Sequence, residues 1–146
     1  MTKSEVLSID AVVDNVDIVR EFTARLLAGV DSPEEAQLGL DLAVEEIFAN
    51  IANYAYYPQT GKVTIHGCLT RECCKITLSF EDRGKPFNPL EKKAPDLEPV
   101  NGKRQIGGLG IFLTRKMVDD IQYEYRDGKN ILTLYKYMTG ETPYPR

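Results

Sequence analysis

The chain has 146 residues, 42% hydrophobic and 27% charged, the make-up of an ordinary globular domain able to bury one substantial core. Its formal net charge is −4 and its basic residues are scattered, so there is no electrostatic footprint for DNA or RNA. No apolar run approaches the roughly 20 residues of a membrane span, no signal-peptide pattern opens the chain, and Cys68, Cys73 and Cys74 lack metal or redox spacing; a single cytoplasmic domain with reduced thiols and no membrane partner is expected.

Residues 4–13 read as a strand, after which Asp14 or Asn15 caps an amphipathic helix carrying Val16, Val19, Phe22, Leu26 and Leu27. A second helix begins near Pro33. Ser32 is its cap, Pro33 suits the first helical position, and Glu35 stands where the reciprocal partner of a capping box belongs. Leu40, Ala43, Val44, Ile47, Ile51 and Tyr54 recur at the spacing of one buried helical face. At roughly 100° per residue, Glu46 and Asn50 fall together on the shoulder of that stripe. A carboxylate and an amide one turn apart suit a magnesium-nucleotide site, and they suit a solvated flank as well; the helix alone does not separate the two.

After Pro58 and Gly61, Val63, Ile65, Gly67 and Leu69 alternate with Lys62, Thr64, His66 and Cys68, the pattern of a half-buried strand. His66, the only histidine, points outward with the polar set, which fits a surface residue better than an acid–base catalyst or metal ligand. A further strand is expected from about Glu72 to Glu81, with Cys74, Ile76, Leu78 and Phe80 on its apolar face. Asp82 continues that parity. Either it is buried and needs a donor such as a base amino group, or the strand ends at Glu81 and Asp82 opens a turn toward Gly84.

From Lys85 to Arg104 come four prolines, one glycine and no sustained period, a loop of the length usually reserved for lids or disorder. Gly107-Gly108-Leu109-Gly110 then opens an apolar helical run through Ile111, Phe112, Leu113, Met117 and Val118, and glycines before a helix can bring backbone amides up to phosphate. Ile121, Tyr123 and Tyr125 alternate on one strand, Asp127-Gly128 makes a two-residue turn, and residues 130–137 return. Residues 139–146, with Pro143 and Pro145, read as a frayed tail.

Glu46 with Asn50, Asp82 with Gly84, and the glycine turn at 107–110 occur in the order of one nucleotide pocket. On these motifs the chain resembles the GHKL (histidine kinase-like) ATPase superfamily, in its anti-sigma factor serine/threonine kinase branch, over nearly its whole length. The resemblance implies a two-layer α/β sandwich: a mixed, mostly antiparallel sheet covered on one face by helices beginning near Asn15, Pro33 and Leu109. It implies ATP and Mg2+ as ligands, Asn50 coordinating the magnesium that bridges the phosphates, and Glu46 as general base. It further implies that Asp82, with Gly84, Pro86 and Phe87, accepts from the adenine amino group, that Gly108, Leu109 and Gly110 close over the phosphates, and that residues 88–106 form a mobile ATP lid. Asn53 and Gly107 are nucleotide-binding positions on the same basis, and Thr133 matches a threonine set near the adenine. Lys103 or Arg104 is a candidate for the γ-phosphate, alongside the reading of two solvated loop cations.

Two departures stand out. Close relatives carry His-Ala-Tyr or His-Gly-Tyr after the asparagine, where this chain has Tyr54-Ala55-Tyr56, and the usual Gly-Thr before the last strand is replaced by Lys129-Asn130. No Gly-x-x-x-x-Gly-Lys-Ser/Thr pattern exists, which excludes a P-loop as the route to ATP. The resemblance implies a kinase acting on an anti-anti-sigma protein and holding a sigma factor, cytoplasmic, without nucleic acid or membrane contact, and plausibly a homodimer. The departures motivate an alternative, a non-catalytic module that senses ATP or ADP for a protein partner. A detached sensor-kinase ATPase domain fits less well, because no phosphoacceptor helix is present.

Overall fold

The computed structural model describes residues 2–91 and 108–139. Strands β1 (Thr2–Asp10), β2 (Lys62–Thr70), β3 (Lys75–Asp82), β4 (Asp120–Arg126) and β5 (Lys129–Tyr137) form one sheet, accompanied by helices α1 (Val16–Leu26), α2 (Glu34–Asn50) and α3 (Gly108–Met117). Strand alternation puts Val63, Ile65, Ile76, Leu78, Phe80, Leu132 and Leu134 on one face, where they share a core with Val19, Phe22 and Leu26 of α1 and Leu40, Ala43, Val44, Ile47 and Phe48 of α2. The opposite face carries the polar set, including Thr64, His66, Ser79 and Thr133.

The strand order is β1-β2-β3-β5-β4, and every adjacent pair is antiparallel. The expected mixed sheet is therefore a fully antiparallel one. β3 and β4 do run in the same direction, joined through α3, but β5 folds back between them and leaves no parallel neighbours. The turn that sends it back is Asp127-Gly128, both residues left-handed (φ 56 and 78), the geometry that matches the twist of a two-residue hairpin.

Several local expectations are corrected. β1 ends at Asp10, and Val13–Asn15 form a 3-10 turn in place of its last residues. Asn15 does not cap α1 with its side chain; its Nδ2 donates to Asp10 O at 2.9 Å. Ser32 does not cap α2 either, because its Oγ accepts from Gln37 Nε2 at 2.8 Å and the helix starts at Glu34. Glu34 and Glu35 sit in that first turn, where their charge complements the helix dipole. β3 begins at Lys75 rather than near Glu72: Cys74 is left-handed (φ 51) in the turn, so it lies outside the strand's alternation.

The most consequential difference is at the end of α2. The helix passes into a π-helical turn, Ile51–Ala55, whose wider i→i+5 winding rotates each residue less than an α-turn does. The apolar stripe predicted through Tyr54 loses register there, and Tyr54 emerges 46% exposed. No helix among the described residues is long and apolar enough to cross a membrane.

Phe48, at 0% exposure, is the largest side chain that α2 sends into this core. Phe48→Ala is expected to cost about 3–5 kcal/mol, read as a lower urea midpoint with an unchanged denaturant slope.

Candidate functional site

A cavity of about 410 Å³ opens between the helices and the sheet, within the size range of small-molecule sites. Its sheet side is Phe80 and Asp82 of β3, Asn130 and Leu132 of β5, and Tyr123 of β4. Ile47, Asn50 and Ile51 of α2 face them, Tyr54 and Ala55 come from the π-turn, and Lys85, Pro86 and Phe87 form a rim; Ile111 brings in the first turn of α3.

The strand does not end at Glu81. Asp82 pairs with Val63 on one side and Asn130 on the other, keeps the parity of Phe80, and is 6% exposed. Its Oδ1 accepts from Gly84 N and from Asn130 Nδ2, each at 2.9 Å. Burial pushes its carboxyl above the ordinary value, and those two hydrogen bonds pull it back. With Oδ1 so occupied, Oδ2 is the acceptor that the residue offers to the cavity it lines.

Gly84 is required by a close approach. A Cβ built on it would lie 2.1 Å from Ala55 O, the carbonyl that accepts from Lys85 N at 2.9 Å. Tyr56 binds the same turn from the other side: its hydroxyl accepts from Arg83 N at 2.7 Å and donates to Lys62 O at 2.5 Å. The end of β3 is thereby fastened to the π-turn. An α-helical continuation would put residues 54–56 at different angles and unmake both contacts.

Glu46 and Asn50 stand one turn apart on α2, with Asn50 in the cavity lining. Burial raises the Glu46 carboxyl, a hydrogen bond from the Asn50 side chain opposes the rise, and Glu46 Oε1 is buried without a hydrogen-bond partner among the described residues. An orphaned carboxylate oxygen is costly. The amide oxygen of Asn50 is a hard donor of the kind magnesium accepts. Among the described residues no cluster of three or more His, Cys, Asp or Glu could hold a metal, so such an ion would take its other ligands from phosphate and water.

The remaining expected positions divide. Pro86 and Phe87 line the cavity, and Gly108, Leu109 and Gly110 form the start of α3, next to its cavity residue Ile111. Asn53 is exposed and not in the lining. Thr133 is displaced to the opposite face of the sheet, its Oγ1 2.8 Å from Ser79 Oγ; the period of two that turns Asn130 and Leu132 inward turns Thr133 away. The inward position at this end of β5 belongs to Asn130. Lys103, Arg104, Gly107, most of the 88–106 segment and residues 140–146 fall outside the described residues. His66 is exposed as expected, with Nε2 3.4 Å from Glu81 Oε2.

Asn130, Tyr123 and Tyr56 are site residues that motif matching passed over. The signal for Asn130 was its parity with Leu132 and Leu134, a polar residue at a core-facing position; for Tyr56 it was the tyrosine shared with the His-Ala-Tyr pattern.

A helix layer over one face of an antiparallel sheet, with a buried strand-end carboxylate across a cavity from Asn50, defines an ATPase-type α/β domain without a P-loop. The chain belongs to the histidine kinase-like ATPase domain family, whose model matches residues 9–136. Over 103 residues it is 30% identical to the serine/threonine-protein kinase BtrW of Bordetella bronchiseptica, covering 70% of this chain and 72% of that protein. It is 26% identical to the anti-sigma F factor of Caldanaerobacter subterraneus over 125 residues, 85% and 86% of the two chains. It is 29% identical to the serine-protein kinase RsbW of Bacillus cereus over 105 residues, 70% and 64% of the two. The solved RsbU and RsbW domains of a Mycobacterium tuberculosis protein share the fold, with a TM-score of 0.66 at 14% identity over 99% of this chain and 35% of that one.

Gly84→Ala is expected to cost about 1–3 kcal/mol through overpacking against the Ala55 carbonyl, measured by thermal or urea unfolding. Glu46→Gln is expected to do the reverse at neutral pH. The folded-state carboxyl is raised above 4.5, so wild type loses stability as pH climbs through 4.5 and then the folded value, while both states are protonated below. The variant should melt higher at pH 7, with the gain vanishing below about pH 4; a gain that persists in acid would contradict the burial argument.

Proposed function

We propose that this protein is an ATP-dependent serine/threonine protein kinase of the anti-sigma type, a single ATPase domain that phosphorylates an anti-anti-sigma protein and holds a sigma factor. The observation that carries the reading is Asp82, a buried carboxylate lining a cavity whose other wall bears Asn50, with Glu46 one helical turn before it. The names of the kinase and anti-sigma relatives support it.

In this reading Asp82 accepts a hydrogen bond from the adenine amino group while Phe80, Leu132 and Ile47 pack on the base. Asn50 holds magnesium with its amide oxygen, and the ion, when bound, supplies neutralisation of phosphate charge. Glu46 takes the proton of the incoming serine hydroxyl as that oxygen bonds to the γ-phosphorus and ADP leaves; burial makes the carboxylate a better base than a solvated one. The N-terminal amides of α3 face the phosphates. The protein works in the cytoplasm without nucleic acid or membrane. A homodimer would form across β1, a sheet-edge strand that displays Val6 at 63% exposure.

Tyr54, in the place of the usual histidine and exposed at the cavity, favours a second reading, a nucleotide-sensing module without transfer. Incubation with labelled ATP, magnesium and anti-anti-sigma proteins separates the two. Label on a partner serine that disappears with Glu46→Ala establishes the kinase; tight ATP binding without transfer to any partner establishes the sensor. Asp82→Asn is expected to weaken ATP and ADP alike, by about tenfold or more, in calorimetric titration with no loss of fold, and unchanged affinity would remove Asp82 from base recognition.

A further inference from the structure

We propose that Asn130, itself anchored by Tyr123, is the positioning residue that sets the orientation of Asp82 and so gives the cavity its preference for a 6-aminopurine over a 6-oxopurine. The proposal rests on the nucleotide reading above and assigns a role to a residue at which this chain departs from the Gly-Thr that the resemblance implies.

The side chain of Asn130 is 7% exposed and uses its full hydrogen-bonding capacity. Its Nδ2 donates to Asp82 Oδ1 and to Lys85 O, both at 2.9 Å, with Gly84 O further off at 3.4 Å. Its Oδ1 accepts from Phe87 N at 3.1 Å and from the Tyr123 hydroxyl at 2.5 Å. This pattern admits one amide orientation. A flip would turn the amide oxygen on a carboxylate and a carbonyl and the NH2 on the Phe87 N–H, replacing attraction by repulsion at three contacts.

The fixed amide determines which oxygen of Asp82 is free. Oδ1 is held between Asn130 Nδ2 and Gly84 N, which leaves Oδ2 as an acceptor with no donor among the described residues. An exocyclic amino group satisfies that acceptor. The 6-carbonyl of inosine or guanine sets an acceptor against it, and a site built around one hydrogen bond rejects such analogues strongly. A threonine at position 130 is too short to reach Asp82 Oδ1, Lys85 O and Phe87 N together, so in this chain orientation of the acid is a property of the protein before any nucleotide arrives.

The test is calorimetric titration of the full chain, in magnesium, with ATP and with inosine triphosphate. Wild type should prefer ATP by about 100-fold. Asn130→Ala should cut that ratio about tenfold or more by weakening ATP while leaving inosine triphosphate nearly unmoved, since one charge-assisted hydrogen bond is worth a factor of that size. Tyr123→Phe, which removes one bond to the anchor and none to Asp82, should lower the ratio by a smaller factor and carries the test if Asn130→Ala does not fold. Parallel losses for both nucleotides, with the ratio unchanged in the variants, would show a structural role only and overturn the proposal. A wild-type protein that binds both alike would also overturn it while leaving a nucleotide site standing; one that binds neither would defeat the nucleotide reading and this inference with it.

Discussion

A carboxylate cannot leave water on the core side of a sheet unless donors meet it, and the way Asp82 meets that condition organises the molecule around it. One donor is the backbone of Gly84, two residues on; the other is the amide of Asn130 on the neighbouring strand. The first needs residues 82–84 to turn sharply against the π-turn, which only glycine permits at 84. The second needs β5 beside β3 in a register that places residues 82 and 130 opposite each other. Burial of one acid thus links the end of α2, the loop after β3 and the final hairpin.

Much of this architecture was legible in the residues because period carries the information. α2, β2 and the closing hairpin follow the 3.6- and 2-residue patterns closely, and Asp127-Gly128 has the backbone freedom its turn needs. The caps were not legible: Ser32 and Asn15 have the right chemistry, yet each hydroxyl or amide found a nearer partner. The π-turn was not legible either, since no residue type marks a change from i→i+4 to i→i+5 bonding, and so the exposure of Tyr54 was not foreseen.

The site shows the same division. Glu46 and Asn50 were visible as a pair but undecidable on the helix alone, because a shoulder position borders core and solvent equally. What decides their surroundings is the opposite wall, supplied by strands 30 to 80 residues later in the chain. Thr133 illustrates the converse: a match by residue type overrode the alternation, which already placed Asn130, Leu132 and Leu134 together. Parity was the better guide.

The insertion of β5 between β3 and β4 also has a consequence for how the protein is made. Asp82 and Asn130 are 48 positions apart, so long-range pairing must precede completion of the cavity floor, a slow and late event in folding. During synthesis the amino-terminal strands and helices emerge first, with the β3 edge open and the acid lacking one of its two donors. A copy interrupted before residue 129 would carry Asn50, Phe80 and Asp82 but lack Asn130 and Leu132, the part of the cavity floor that β5 supplies.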